Sequence, residues 1–225
     1  MSTRPRAEAE YRLHCFAQSG NSYKVALMLE LAGADWTPVF VDFFGGATRT
    51  PEYRALNAMG EAPVLEHRGT VLSQSGVILD YLCETLGRFG PPGEGAAREA
   101  HRREILRWLL WDNHKLTSYT ATYRFLRCFA GQGDSPQAQW LHGRMTAAMK
   151  VLDAHLAARP FAVADAPTVA DLSMVGYLYF ADEIGVDLAA GFPNVAAWTA
   201  RIAALPGWRH PYELMPGHPL PARAG

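Results

Sequence analysis

Two runs of hydroxyl and amide side chains stand where helices begin, Ser19-Gly20-Asn21-Ser22 and Gln74-Ser75. A helix start offers unpaired N–H groups and the positive end of the dipole, so it favours an anion. The chemistry this suits is the holding of a carboxylate or a thiolate. Lowering a thiol pKa of ~8.5 by about two units raises the thiolate share at pH 7 from roughly 3% to roughly 75%, a shift of ~2.7 kcal/mol. One hydroxyl donating to sulfur supplies ~1.5–3 kcal/mol and the helix N-terminus ~0.3–1 more, so a single serine at a helix start is enough. The same residues also serve as plain turn and cap residues, and their types alone leave both readings open. Ala62-Pro63 is the third notable spot, where a proline opens an apolar pair and its peptide is either trans at a strand edge or cis.

These residues need a scaffold, and the pattern around them supplies one. Residues 11–18 read as a strand ending at Ser19-Gly20-Asn21, and a helical period follows from Ser22 through Val25, Met28, Leu29 and Ala32, with Gly33 placed for a left-handed cap. Trp36 to Asp42 reads as a second strand, and Pro38 inside it cannot donate to a ladder, which predicts a sheet edge. Thr50-Pro51-Glu52 reads as cap, proline at the first helical position and acid in the first turn of a short helix through Asn57. Residues 60–72 read as a β-hairpin turning at Arg68-Gly69, and Val77, Ile78, Tyr81, Leu82 and Leu86 give a third helix ending near Gly87. The order is βαβαββα over 11–88, after a flexible 1–10. A Gly/Pro-rich linker spans 89–97.

The remainder, 98–209, reads as all-helical. One long segment runs from Arg98 to Phe129, another starts at Ser135-Pro136, and Thr168-Val-Ala-Asp171 is a capping-box pattern before the apolar run Leu172 to Phe180. Pro193 to Leu205 makes the final helix. Within the long segment Trp111, Lys115 and Tyr119 fall at i, i+4 and i+8, which predicts one shared face. That face either looks toward Ser19 or serves as packing. The tail 210–225, with Tyr212, Met215 and four prolines, either covers the site or hangs free. The fold class expected is therefore an α/β domain followed by an all-α domain.

Composition narrows the function classes. The 225 residues carry 21 Lys+Arg against 22 Asp+Glu, so no strong field points to nucleic acid. No window approaches the roughly 18 apolar residues of a membrane span, and the first residues do not resemble a leader, which predicts a soluble, cytoplasmic protein. Cys15, Cys83 and Cys128 are few and far apart, and the histidines are dispersed, so neither a disulfide framework nor a metal site is expected.

Taken together, Ser19-Gly-Asn-Ser-Tyr-Lys-Val25, Ala62-Pro63-Val-Leu, Gln74-Ser75 with Val-Ile-Leu-x-Tyr-Leu82, Thr168-Val-Ala-Asp171 and Ala204-Leu-Pro-Gly-Trp208 resemble the glutathione transferase family. The match covers most of the chain and lies nearest the serine-type theta, zeta and related bacterial classes. The resemblance implies a thioredoxin-like N-terminal domain, an all-helical C-terminal bundle, a homodimer, and glutathione as co-substrate for attack on a small hydrophobic electrophile. It implies Ser19 as thiolate donor, with Asn21 next in line and Ser22 a competitor. It also implies a cis Ala62-Pro63 whose alanine backbone pairs with the cysteinyl backbone of glutathione, and Ser75 with Gln74 as the seat of the γ-glutamyl carboxylate. Glu61 departs from relatives that carry Lys there to face the glycine carboxylate, and Arg49 is the candidate substitute. Trp111, Lys115 and Tyr119 are the candidate electrophile-side residues. Peroxidase or isomerase action by the same thiolate, and a non-catalytic interaction module, are the alternatives. The lack of a CxxC motif, with Ser19 where a redox relative would hold Cys, disfavours exchange through a protein thiol.

Overall fold

Alternating apolar residues in two short strands seed the first half. In the computed structural model, which describes residues 9–220, β1 (Tyr11–Cys15) pairs in parallel with β2 (Trp36–Phe40) and antiparallel with β3 (Val64–His67), which pairs antiparallel with β4 (Thr70–Ser73). The sheet order β2-β1-β3-β4 puts Pro38 in an edge strand, as its missing N–H requires. A two-residue turn joins β3 to β4, with Arg68 at φ 49° and Gly69 at φ 82°, the positive pair that matches strand twist. Helices α1 (Gly20–Ala32), α2 (Pro51–Leu56) and α3 (Ser75–Leu86) complete the βαβαββα order. Thr50 accepts from the Tyr53 N–H at the start of α2, with Pro51 in the first turn. Helices α1 and α3 both end on left-handed glycines, Gly33 and Gly87.

The helical half comprises α4 (Gly95–Trp111), α5 (Thr117–Cys128), α6 (Pro136–Leu156), α7 (Val169–Met174), α8 (Ala181–Ile184), α9 (Leu188–Gly191), α10 (Pro193–Ala203) and α11 (Pro211–Leu214). Helix α4 begins at Gly95, inside the segment expected as linker. A π-helical turn, Asp112–Leu116, divides the long segment that helical spacing alone reads as continuous. Its cause is tertiary: Lys24 on α1 is fully buried and donates to Asp112 at 2.7 Å and to the Thr117 hydroxyl at 2.8 Å, while Ser173 donates to the same carboxylate at 2.5 Å. An ion pair with no access to water is tolerated only when its remaining donors and lone pairs are met, and here three elements meet them.

The two halves share one apolar core that runs from Leu13, Leu27 and Leu65 to Met149, Leu172 and Trp198. Contact between α1 and the 3-10 stretch Val175–Phe180 is close enough to exclude side chains on both sides. A Cβ on Gly176 would stand 2.7 Å from Lys24 Cε and 2.8 Å from the Gly20 carbonyl. Below this contact Asp171 is buried and accepts from the Thr168 N–H and hydroxyl, the Ala162 N–H and the Trp198 indole, all within 3.1 Å. Burial raises its proton affinity and the four donors oppose that rise.

Of the expected flexible N-terminus, residues 1–8 lie outside the described residues, and Glu10 is held by Arg68 at 2.6 Å and His67 at 3.1 Å. Residues 221–225 of the tail also lie outside them. The part from 210 to 220 packs back on the first half: Ala17 N–H donates to the Pro216 carbonyl at 2.7 Å, and the Gln18 amide donates to the Gly217 carbonyl at 2.8 Å. These bonds end β1 at Cys15, before the expected residue 18, because the loop's donor turns to the tail. Among the described residues no helix is long and apolar enough to cross a membrane.

Candidate functional site

Ser19 is the N-cap of α1, which therefore begins at Gly20, ahead of the Ser22 start that apolar spacing suggests. Its extended backbone aims the hydroxyl oxygen at the Ser22 N–H, 3.1 Å away. Accepting that bond uses a lone pair and leaves the O–H as a donor, so capping the helix does not use up the hydroxyl's donor. Ser19 lines a cleft of about 450 Å³ between the two halves. Ser22 is fully buried, is not among the cleft-lining residues, and its hydroxyl has no partner among the described residues.

One wall of the cleft is aromatic. Phe16, Phe43, Phe44, Phe125 and Phe129 line it together with Tyr177. Phe16 and Phe43 stack with centroids 4.8 Å apart, Phe44 stands edge-on to Phe43 at 5.4 Å, and Phe129 continues the row at 5.1 Å from Phe44. The cation among the described lining residues is Arg124 on α5. It is nearly fully buried, bound to Glu183 at 2.6 Å, to the Gln18 carbonyl at 2.5 Å and to the Tyr212 hydroxyl at 3.0 Å, and it lies 3.8 Å over the Phe180 ring. Tyr212 also donates to Glu183. The peptide leading into Ser19 is thus clamped by Arg124 on one side and by the tail carbonyls on the other.

Beside the cleft a recess of about 30 Å³ is lined by Asn21, Ala62, Pro63, Ser75 and Asn113, with Glu61 and Gln74 at its rim. The Ala62-Pro63 peptide is cis. Ser75 is the first residue of α3, whose N-terminus has no side-chain cap, so its first N–H groups stay available to an anion. The Ser75 hydroxyl faces the Asn21 amide oxygen at 3.4 Å. Gln74 has φ 69°, an uncommon conformation for a residue with a side chain, costing of order 1–3 kcal/mol and met most often at ligand sites. Its amide donates to Glu61 at 2.9 Å.

Ser19, Asn21, Ala62, Pro63, Gln74 and Ser75 are therefore brought together. Arg49 is not: it is exposed, is not among the cleft-lining residues, and lies against Gly46. Nor does the structure bring Trp111, Lys115 and Tyr119 to the cleft. The π-helical turn between Trp111 and Thr117 rotates the face that ordinary spacing predicts. Trp111 packs on Trp108 at 5.2 Å, while the ammonium of Lys115 lies over the Tyr119 ring, which meets Trp140 and Arg144 of α6. Residues from one turn further along α5, Ala121, Thr122, Arg124 and Phe125, line the cleft instead. Sequence reasoning missed the aromatic wall, Arg124, Tyr177 and Asn113. The adjacent pair Phe43-Phe44 in a Gly-containing loop was the one available signal.

None of the three cysteines is among the residues that line the cleft or the recess. Burial pushes Cys15 up to about 12, and burial with the nearby Asp80 and Glu84 charges pushes Cys83 to about 12 as well. At neutral pH neither is a nucleophile.

Comparison with known proteins agrees with this geometry. Residues 18–85 match the family model for the glutathione S-transferase N-terminal domain, and residues 113–206 that for the C-terminal domain. The chain is similar to the maleylacetoacetate isomerase of Rhizobium meliloti, 32% identical over 91% of this chain and 97% of that protein. It is similar to glutathione S-transferase 3 of Zea mays, 29% identical over 95% and 98%. Among solved structures, a glutathione S-transferase from Xanthobacter autotrophicus has 33% identity and a TM-score of 0.79, covering 88% of this chain and 95% of its own. Another from Pseudomonas fluorescens has 31% identity and a TM-score of 0.81, covering 89% and 98%. With both domains matched in order and the cleft formed where they meet, the chain belongs to the glutathione S-transferase family.

Proposed function

We propose that this protein is a cytoplasmic, homodimeric glutathione transferase that adds the thiolate of glutathione to neutral, apolar, planar electrophiles. Glutathione is the co-substrate. In this reading the segment 11–88 holds it: Ala62 offers its backbone to the cysteinyl unit, and Ser75 with Gln74 takes the γ-glutamyl end. Asn113, reaching the same recess from the helical half, closes it. Ser19 donates its O–H to the sulfur and Asn21 supports it. The thiol proton leaves to solvent on binding, the sulfur lone pair forms the new S–C bond, and the leaving group departs with the electrons of the bond that breaks.

One observation carries the choice of electrophile. The cleft beside Ser19 is walled by phenyl rings, and its buried cation, Arg124, is already engaged by Glu183, Gln18 and Tyr212. A neutral aromatic substrate is stabilised on such a wall, whereas a dianionic one would enter without a counter-charge. A second reading, glutathione-dependent isomerisation, is favoured by the isomerase relatives in Rhizobium meliloti and Pseudomonas aeruginosa. It uses the same thiolate, which adds to a conjugated double bond and leaves again after rotation. Dimerisation is supported by the groove between α3 and α4, where Val77, Leu106 and Leu110 stand exposed.

The test is quenching of tryptophan fluorescence by glutathione, followed by rates on an aryl halide and on a cis-enedioic acid. Binding with faster aryl conjugation is expected. No binding overturns the reading, and faster isomerisation of the diacid transfers it to the second.

A further inference from the structure

Tyr177 lies on the 3-10 stretch that follows the buried Asp171 cap, in the half of the chain opposite Ser19. Its ring rests on Gly20: a Cβ at that position would stand 2.5 Å from Tyr177 Cδ2 and 2.6 Å from Cε2. The first residue of α1 is thus kept bare so that a phenol from the helical half can sit at the start of the helix. Tyr177 is nine-tenths buried, yet it lines the cleft together with Ser19 and Asn21. The Arg124 charge and the Asn21 and Gly20 N–H groups act on its oxygen against the larger effect of burial. Donors of this kind address the oxygen lone pairs and leave the O–H. Tyr23 spends its O–H on the Arg209 carbonyl, Tyr53 on the Glu61 carbonyl and the partly buried Tyr179 on the Thr199 carbonyl. Among the described residues no acceptor meets the O–H of Tyr177.

We propose that Tyr177 is a second catalytic hydroxyl, donating to the glutathione sulfur from the helical half while Ser19 donates from the thioredoxin-like half. The proposal rests on the transferase reading above. A phenol is a more acidic donor than an aliphatic hydroxyl, and the facing amides and guanidinium polarise it further. Burial raises its proton affinity, so it keeps the proton that it must share. Two donors from different halves would tie thiolate formation to correct packing of α1 against the 3-10 stretch.

The test uses Tyr177→Phe, which keeps the ring on Gly20 and removes only the hydroxyl. Thiolate absorbance of the glutathione complex is titrated against pH, beside S-hexylglutathione, whose sulfur cannot ionise. The expected result is a rise of about one pH unit in the apparent pKa of the bound thiol and a roughly threefold fall in kcat/KM at pH 7. S-hexylglutathione should bind within about twofold of the parent, and Tyr177→Phe/Ser19→Gly should titrate higher than either single variant. An unchanged titration in Tyr177→Phe overturns the proposal, as does a proportional loss for both ligands, which would make Tyr177 a wall residue. If Ser19→Gly shifts the titration and Tyr177→Phe does not, only this proposal fails. If the parent protein does not lower the thiol pKa at all, the transferase reading fails with it.

Discussion

Ser19 is an N-cap and, in the function proposed above, a thiolate donor, and one pair of substitutions separates the two roles. As N-cap it accepts the Ser22 N–H at 3.1 Å in a buried setting, and as thiolate donor it uses its O–H. Ser19→Ala removes both and costs the helix about 1 kcal/mol, whereas Ser19→Gly removes the same O–H at a cost of only a few tenths. For a chain of this size about 1 kcal/mol lowers Tm by roughly 2–4 °C, so alanine should be visibly less stable than glycine. The loss at sulfur should be equal in the two. A hydrogen bond to a charged group is worth ~1.5–3 kcal/mol, which at 1.36 kcal/mol per unit raises the thiol pKa by about 1.1–2.2 units. From a starting share of roughly 75% at pH 7, the thiolate falls to roughly 2–20%, and kcat/KM falls with it by about 4- to 40-fold. The sign is that of a lost stabiliser of the anion: activity should recover as pH rises through the new pKa. The assay is thiolate absorbance against pH beside a thermal melt. If both variants titrate like the parent while alanine alone melts earlier, Ser19 is a cap and nothing more.

The buried pair of Lys24 and Asp112 predicts an asymmetry in urea unfolding: Lys24→Met strands a carboxylate and should cost about 3–5 kcal/mol, while Lys24→Met/Asp112→Leu should recover much of that loss. A double variant no more stable than the single would refute that account. With Cys15 and Cys83 held up to about 12, iodoacetamide at pH 8 should leave both unmodified in the native protein, as read by peptide mass. Rapid alkylation of either would show that the helices packed over them open. On the α3 and α4 face, Leu110→Arg places a charge in the proposed dimer groove and should halve the mass seen by light scattering without lowering Tm by more than about 2 °C, since Leu110 is 63% exposed. A parent protein that is already monomeric would remove the dimer from the proposal.

Local rules wrote much of this molecule into its sequence. Thr50-Pro51-Glu52 starts α2, Gly33 and Gly87 stop α1 and α3, Pro38 sets an edge strand, and Thr168 with Asp171 caps α7, because caps, turns and edges are decided by residues a few positions apart. The same holds for the recess, since Ala62-Pro63 and Gln74-Ser75 sit at the ends of elements whose types and order were legible. The electrophile side was not. Helical spacing placed Trp111, Lys115 and Tyr119 on one face, but the extra turn at Asp112–Leu116 follows from an ammonium on α1 that is 88 residues away along the chain, a separation no local period encodes. That pairing is what aims Arg124 and Phe125 at the cleft. Tyr177 reached the start of α1 only because Gly20 and Gly176 let two backbones meet. Sequence by itself determined most of the elements of the first half and the residues of the small recess; the packing of one half on the other decided what lines the cleft, because long-range contact, and not periodicity, selects which side chains a cleft receives.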